Sequence, residues 1–115
     1  MPYLTIETNK KIKENQKNKI LYEATDLISN ILNKPKKWVM ISIKDNISMC
    51  FDNTGEDTAY IELKSIKLDK EKCKFFLERL SNSIEENLNI KPERIYIHFI
   101  DLDPKMFGWN KKLFI

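Results

Sequence analysis

Apolar residues recur along this chain in two rhythms. Near the start, Leu4 and Ile6 alternate with Tyr3, Thr5 and Glu7, the period of two that predicts a strand. Then Ile20, Leu21, Ala24, Leu27, Ile28, Ile31 and Leu32 follow steps of three and four. That spacing predicts a helix over roughly residues 12–33, ended before Pro35. Strand-like text returns in KPKKWVMISI (34–43) and AYIELKSI (59–66). A second helical stripe carries Cys73, Phe76, Leu77, Leu80, Ile84 and Leu88, and Pro92 follows it. KPERIYIHFI (91–100) then predicts a last strand. Between the halves, KDNISMCFDNTGED (44–57) is rich in turn residues and predicts a connection with a short edge strand at 47–51.

Shifted by 57 residues, the sequence matches itself in two places. PYLTIET (2–8) falls on AYIELKS (59–65), and KPKKWVMISI (34–43) falls on KPERIYIHFI (91–100). Two segments agreeing on one shift mark a duplication, with pseudo-repeats 2–43 and 59–100 inside one domain over 1–115. Each copy reads strand, helix, strand, and a helical crossover of that length joins parallel strands. The expected fold class is therefore α/β: a duplicated β-α-β unit forming a four-stranded mixed sheet with two helices on one face. The helix-facing side should hold Leu4, Ile6, Met40, Ile61, Leu63, Ile95, Ile97 and Phe99. The other side should hold Tyr3, Thr5, Glu7, Val39, Ile41, Ile43, Tyr60, Glu62, Lys64, Tyr96, His98 and Ile100. That second side is half apolar, and no element remains to cover it, which predicts that another subunit does.

Composition narrows the function classes. The chain has 115 residues, 42% hydrophobic and 32% charged, a globular rather than disordered profile. Its net charge of +3 is the small difference between 20 basic and 17 acidic residues. Lysines interleave with acids along the chain, so a solvated surface is expected and a nucleic-acid partner is not. Cys50 and Cys73 form no CxxC pair and His98 stands alone, so no metal site is expected. Cys73 falls on the helical stripe and should be a buried free thiol. No apolar stretch approaches the ~20 residues that span a bilayer, and the start carries no signal-peptide pattern. The expected compartment is the cytoplasm, with no membrane partner.

Taken in order, several pieces carry a resemblance: Met1-Pro2 opening a strand, NKPKKWVMISI after the first helix, AYIELKSI, IKPERIYIHF, then FGWN and a late Phe114. Together they resemble the macrophage migration inhibitory factor family of the tautomerase superfamily. The resemblance implies a homotrimer whose three sheets form a barrel, with the helices outside. It implies a phenylpyruvate tautomerase-like isomerase acting on a small 2-keto acid or aromatic enol. The catalytic residue would be Pro2, made terminal by removal of Met1. Lys34 would bind the substrate carboxylate and depress the Pro2 pKa. Ser65 and Ile66 would line the pocket, with the Ile66 N–H as a donor. Tyr96 and His98 would come from the neighbouring subunit, and Trp38, Phe107, Trp109 and Phe114 would form the apolar wall. An alternative implied by the family is a cytokine-like protein, secreted without a signal peptide, binding a host receptor, with the pocket vestigial.

The chemistry of Pro2 stands beside the resemblance. A free prolyl nitrogen is a secondary amine, and burial or a nearby cation lowers its pKa toward neutrality, where proton transfer is efficient. The bland reading is a strand-start proline whose missing N–H costs nothing there. Four positions depart from the family pattern. His98 replaces an asparagine, which adds a group that titrates near neutral pH. Trp38 replaces a tyrosine. Lys67 replaces the glycine after Ser-Ile, so a different turn is expected there. Lys112-Leu113 replaces a small polar pair and is expected to narrow the pocket or add a cation at its mouth. The family's CxxC is absent, so thiol–disulfide chemistry is not expected.

Overall fold

The structure, a computed structural model, describes residues 1–114. Strand β1 spans Tyr3–Thr8, helix α1 Glu14–Leu32, β2 Met40–Lys44, β3 Ala59–Ile66, helix α2 Lys70–Leu88 and β4 Ile95–Leu102. A short hairpin follows, β5 (Gly108–Trp109) with β6 (Lys112–Leu113). The main sheet runs β2-β1-β3-β4, parallel within each half and antiparallel between β1 and β3. This is the expected mixed sheet with two helices on one face.

The helices form where the apolar stripe predicts them. Each ends in an asparagine in the left-handed conformation, Asn33 at φ 54° and Asn89 at φ 55°. Asparagine tolerates that region better than most residues, so it stops a helix cleanly. Asp69 starts α2 by accepting from the Glu71 N–H at 3.0 Å. The core lies between helices and sheet: Leu4, Ile6, Ile61 and Leu63 meet Ile20, Ile28, Phe76, Leu80 and Ile84, all fully or almost fully buried. Burying each such side chain contributes about 1.5–3 kcal/mol.

Three expectations are corrected. The first concerns β2. Leu4 pairs with Ile41 and Ile6 with Ile43, so Ile41 and Ile43 share the helix-facing side, and Val39 also packs on the core. Met40 lies on the opposite side and is exposed. The cause is the repeat offset. Glu14 and Lys70 open the helices and Leu32 and Leu88 close them, so from α1 onward the copies are 56 positions apart. The 57-residue shift holds only for β1 and β3, where Leu4 and Ile6 match Ile61 and Leu63 on the buried side. A one-residue slip turns a strand over. The open face is therefore less apolar than the sequence predicts.

The second correction is the edge strand at 47–51. Among the described residues, this connection forms only an isolated bridge, Phe51 with Thr54. Left-handed Asn46 stands just before the run, and left-handed Asp52 and Asn53 just after it. The carbonyls of Phe51, Glu56 and Asp57 are taken by the buried Arg94 guanidinium at 2.9–3.0 Å. The third is Cys73, a free thiol that is only half-buried. The fully buried stripe of α2 steps by four through Phe76, Leu80, Ile84 and Leu88, and Cys73 sits at its margin. What burial it has raises its pKa.

Candidate active site

The site lies at the sheet end where β1 begins and β3 finishes. Pro2 is fully buried there, and its carbonyl accepts from the Met40 N–H at 3.0 Å. Both sheet neighbours of β1 flank this point, because Tyr3 pairs with Met40 on one side and Lys64 on the other. A cavity of about 670 Å³ opens beside it, and Met1, Pro2, Tyr3, Trp38, Phe107 and Trp109 are among its walls.

Lys34 is delivered by the end of α1. Asn33 turns the chain, and the Ser29 hydroxyl donates to the Lys34 carbonyl at 2.6 Å, fixing the exit direction. The Lys34 Nζ then donates to Ser65 Oγ at 2.8 Å and to the Ile66 carbonyl at 2.5 Å. Partial burial is the main cause that lowers the Lys34 pKa, and Lys72 and Lys67 add to it. The hydrogen bond to the chain-terminal amine and the charge of Asp101 act the other way. The terminal amine itself, here that of Met1, falls from 8.0 to about 6, first through desolvation and then through the Lys34 charge and hydrogen bond. The two shifts describe one arrangement: a cationic Lys34 donating to a neutral amine. Removing Met1 would pass the terminal position to the Pro2 nitrogen, one residue deeper.

The aromatic wall is a single packed group. Trp109 meets Trp38 edge-on at 4.8 Å, and Phe114 contacts Trp38, Phe107 and Trp109 at 5.7–6.5 Å. The β5–β6 hairpin presents it. Asn110 and Lys111 both take positive φ, the two-residue turn that matches strand twist. The Phe114 N–H donates to the Phe107 carbonyl at 3.0 Å and closes the tail.

The structure thus places Pro2, Trp38, Phe107 and Trp109 on the cavity wall, while Phe114 packs against those aromatics and Lys34, Ser65 and Ile66 are joined to one another beside the chain start without lining the cavity. It does not bring Tyr96 and His98 to them within the chain. Both project from the open sheet face and are exposed. Tyr96 packs on Phe51 at 4.7 Å, and His98 lies 3.4 Å from the Tyr60 hydroxyl, which donates to Glu62 at 2.8 Å. Lys112 and Leu113 do not line the cavity, so the expected narrowing or added cation does not come from them. The cations on its wall are Lys37 and Lys64, which sequence reasoning passed over with Tyr3, Met40 and Leu102. Pairing with Tyr3 was the available signal for Lys64. Lys67 takes the left-handed conformation, at φ 55°, which a glycine would adopt without strain. Among the described residues, no three His, Cys, Asp or Glu side chains converge to hold a metal ion, and no helix is long and apolar enough to cross a membrane.

Comparison with known proteins agrees over the whole length. The family model for macrophage migration inhibitory factor matches residues 1–115. The chain is 30% identical to macrophage migration inhibitory factor of Xenopus tropicalis, over 99% of both proteins. It is likewise 30% identical to the homolog of Brugia malayi, again over 99% of each. The crystal structure of the homologue from Prochlorococcus marinus superimposes with a TM-score of 0.92 at 34% identity, covering 97% of this chain and 98% of that one. The Trichinella spiralis factor gives 0.88 at 28%, covering 97% and 99%. With the fold, the strand-opening proline and the lysine beside it already in place, the chain belongs to the macrophage migration inhibitory factor family, within the tautomerase superfamily.

Proposed function

We propose that this protein is a cofactor-free keto–enol tautomerase of small 2-keto acids, phenylpyruvate-like in its substrates. The observation that carries the reading is the chain start: an amine held at about 6 by burial and Lys34, at the mouth of an aromatic-walled cavity. With Met1 attached, the Pro2 nitrogen is an amide and cannot act as a base. With Met1 removed it becomes a secondary amine under the same two influences, burial and Lys34. It then accepts a proton from the carbon beside the ketone and returns it to the ketone oxygen as the enol forms. A base titrating near ambient pH suits that transfer. Lys34 holds the substrate carboxylate as a point charge, supported by Ser65 and the Ile66 carbonyl. In the trimer that the family relationship supports, a neighbouring copy brings Tyr96 and His98 to the rim. Their exposure on a face without a covering element fits that role.

Ultraviolet absorbance of phenylpyruvate tautomerisation tests the reading, on protein whose first residue is known by mass spectrometry. Protein beginning at Pro2 should turn over, and Pro2→Ala should lose at least about 100-fold while keeping its fold and assembly. Full activity in Pro2→Ala overturns the mechanism. A second reading follows from the relatives' name, an inhibitory factor for a cell: a cytokine-like binding protein. Receptor binding that survives Pro2→Ala in a catalytically inert trimer would favour it.

A further inference from the structure

The cavity beside Pro2 extends onto the open face of the sheet. Met40, Tyr3 and Lys64 stand side by side across β2, β1 and β3, at one level of the register, and all three line it. At the next level along the same face are Ser42, Thr5 and Glu62, and none of these is on its wall. The cavity therefore ends on the sheet between the two levels. Tyr3 crosses that line, because its hydroxyl shares a hydrogen bond of 2.9 Å with Ser42 Oγ.

The alternation of β1 puts the Tyr3 side chain on this face, since Leu4 and Ile6 point into the core. Its direct neighbour on β2 is Met40. Ser42 is the diagonal neighbour, two residues further along, a span that an aromatic side chain can bridge. A ring rooted in the first level and bonded in the second lies across the boundary as a bar. The bond is part-buried and holds the ring to one side of the cavity, so the bar keeps its position.

The rest of the wall suits aryl acids, with Trp38, Phe107 and Trp109 for a ring and Lys37 and Lys64 for a carboxylate. A second ring added in line, extending along the sheet, would meet Tyr3. Beyond Tyr3 it would cover Ser42, Thr5 and Glu62, polar groups that resist losing water to an apolar body. We propose that Tyr3, tied to Ser42, is the specificity-determining residue for ligand length: it stops a ligand body from extending along the sheet, and the cavity favours aryl acids with a single ring. The inference rests on the tautomerase reading for the ligand class, and on the Tyr3–Ser42 bond for the limit.

Calorimetric binding of cinnamate and 4-phenylcinnamate tests it, because neither ligand can tautomerise. In the unaltered protein the second ring should add little, with affinities within about twofold of each other. Tyr3→Ala should let that ring lie over the sheet and favour 4-phenylcinnamate about tenfold, part of what a fully buried ring is worth. Ser42→Ala and Tyr3→Phe each free the ring without removing it, and should favour the longer acid about threefold. If Tyr3→Ala does not fold, these two variants decide. The readout is a ratio between two ligands, which a general loss of stability does not move. A tenfold preference for the longer acid in the unaltered protein overturns the inference. So does a ratio that none of the variants changes, or binding of neither acid. A ratio moved by Tyr3→Ala but by neither tether variant overturns the role of Ser42. Phenylpyruvate turnover on the same samples separates the two readings. Turnover with an unmoved ratio overturns the inference alone. A ratio that moves as expected without turnover supports the wall and removes the chemistry.

Discussion

The two ends of the sheet begin from the same device and finish differently. At one end α1 passes through left-handed Asn33 to Lys34, and at the other α2 passes through left-handed Asn89 to Ile90. Lys34 stays half-buried and reaches Ser65, whereas Ile90 is fully buried in the core. What fills each end sets the difference. The chain start enters at the Lys34 end, where it leaves a cavity and an amine. At the Ile90 end the connection 45–58 passes through, and Arg94 binds the carbonyls of Phe51, Glu56 and Asp57. Thr8, the counterpart of Ser65 at that end, donates to the Thr58 carbonyl at 2.7 Å and accepts from the Lys10 backbone N–H at 3.1 Å, where Ser65 meets a lysine side chain. A duplicated scaffold thus carries one end with a cavity and one closed end.

Exchanging the key residues breaks the comparison most severely. Ile90→Lys places a charge in a closed core and should cost about 4 kcal/mol or more in urea unfolding. A cost near zero would mean that the Ile90 end opens as readily as the Lys34 end. Next in size, Arg94→Met should destabilise by about 2–3 kcal/mol, since it strips a charged donor from several carbonyls while keeping the aliphatic stem.

Lys34→Gln acts on titration rather than on the fold. In the chain that retains Met1, the amine should titrate above about 6 once the Lys34 charge is gone, though burial keeps it below 8.0. Nuclear magnetic resonance titration of the terminal residue reads this. The same shift has a stability consequence. The folded amine binds its proton less readily than the unfolded one, so stability is flat above pH 8.0 and declines as pH falls toward about 6. Lys34→Gln should shallow that decline. The smallest expected effect is Lys67→Gly, a gain of about 0.5 kcal/mol in urea unfolding, from relieving a left-handed lysine.

The sheet and both helices were legible because period and spacing state them directly, whereas the aromatic wall was expected only from the family resemblance. The error in β2 is more instructive. Val39, Ile41 and Ile43 alternate with Met40, Ser42 and Lys44, and that local rhythm already put the aliphatic side inward. The matching Lys-Pro pairs at 34–35 and 91–92 supported a shift of 57, and the shift overrode the rhythm. Proline and lysine at a helix exit are common enough to align by accident, whereas an alternation tied to burial is not. Lys37 was hidden for another reason. Nothing in a run of lysines says which one meets an acid, and Asp26, which claims Lys36, lies a helical turn and more away in sequence. Tyr96 and His98 remain apart from the cavity within the chain, exposed on the open sheet face.

The wall made by residues 107–114 has a consequence in time as well as in space. The cavity joins residues 1–3 to Phe107 and Trp109, more than 100 positions later in this sequence. Synthesis runs from the amino end, so Met1 and Pro2 emerge long before Trp109 and Phe114 exist to cover them. The removal of Met1 that the proposed mechanism requires would therefore have its easiest access before the wall is in place. The same order completes the cavity wall only after the sheet and both helices have been made.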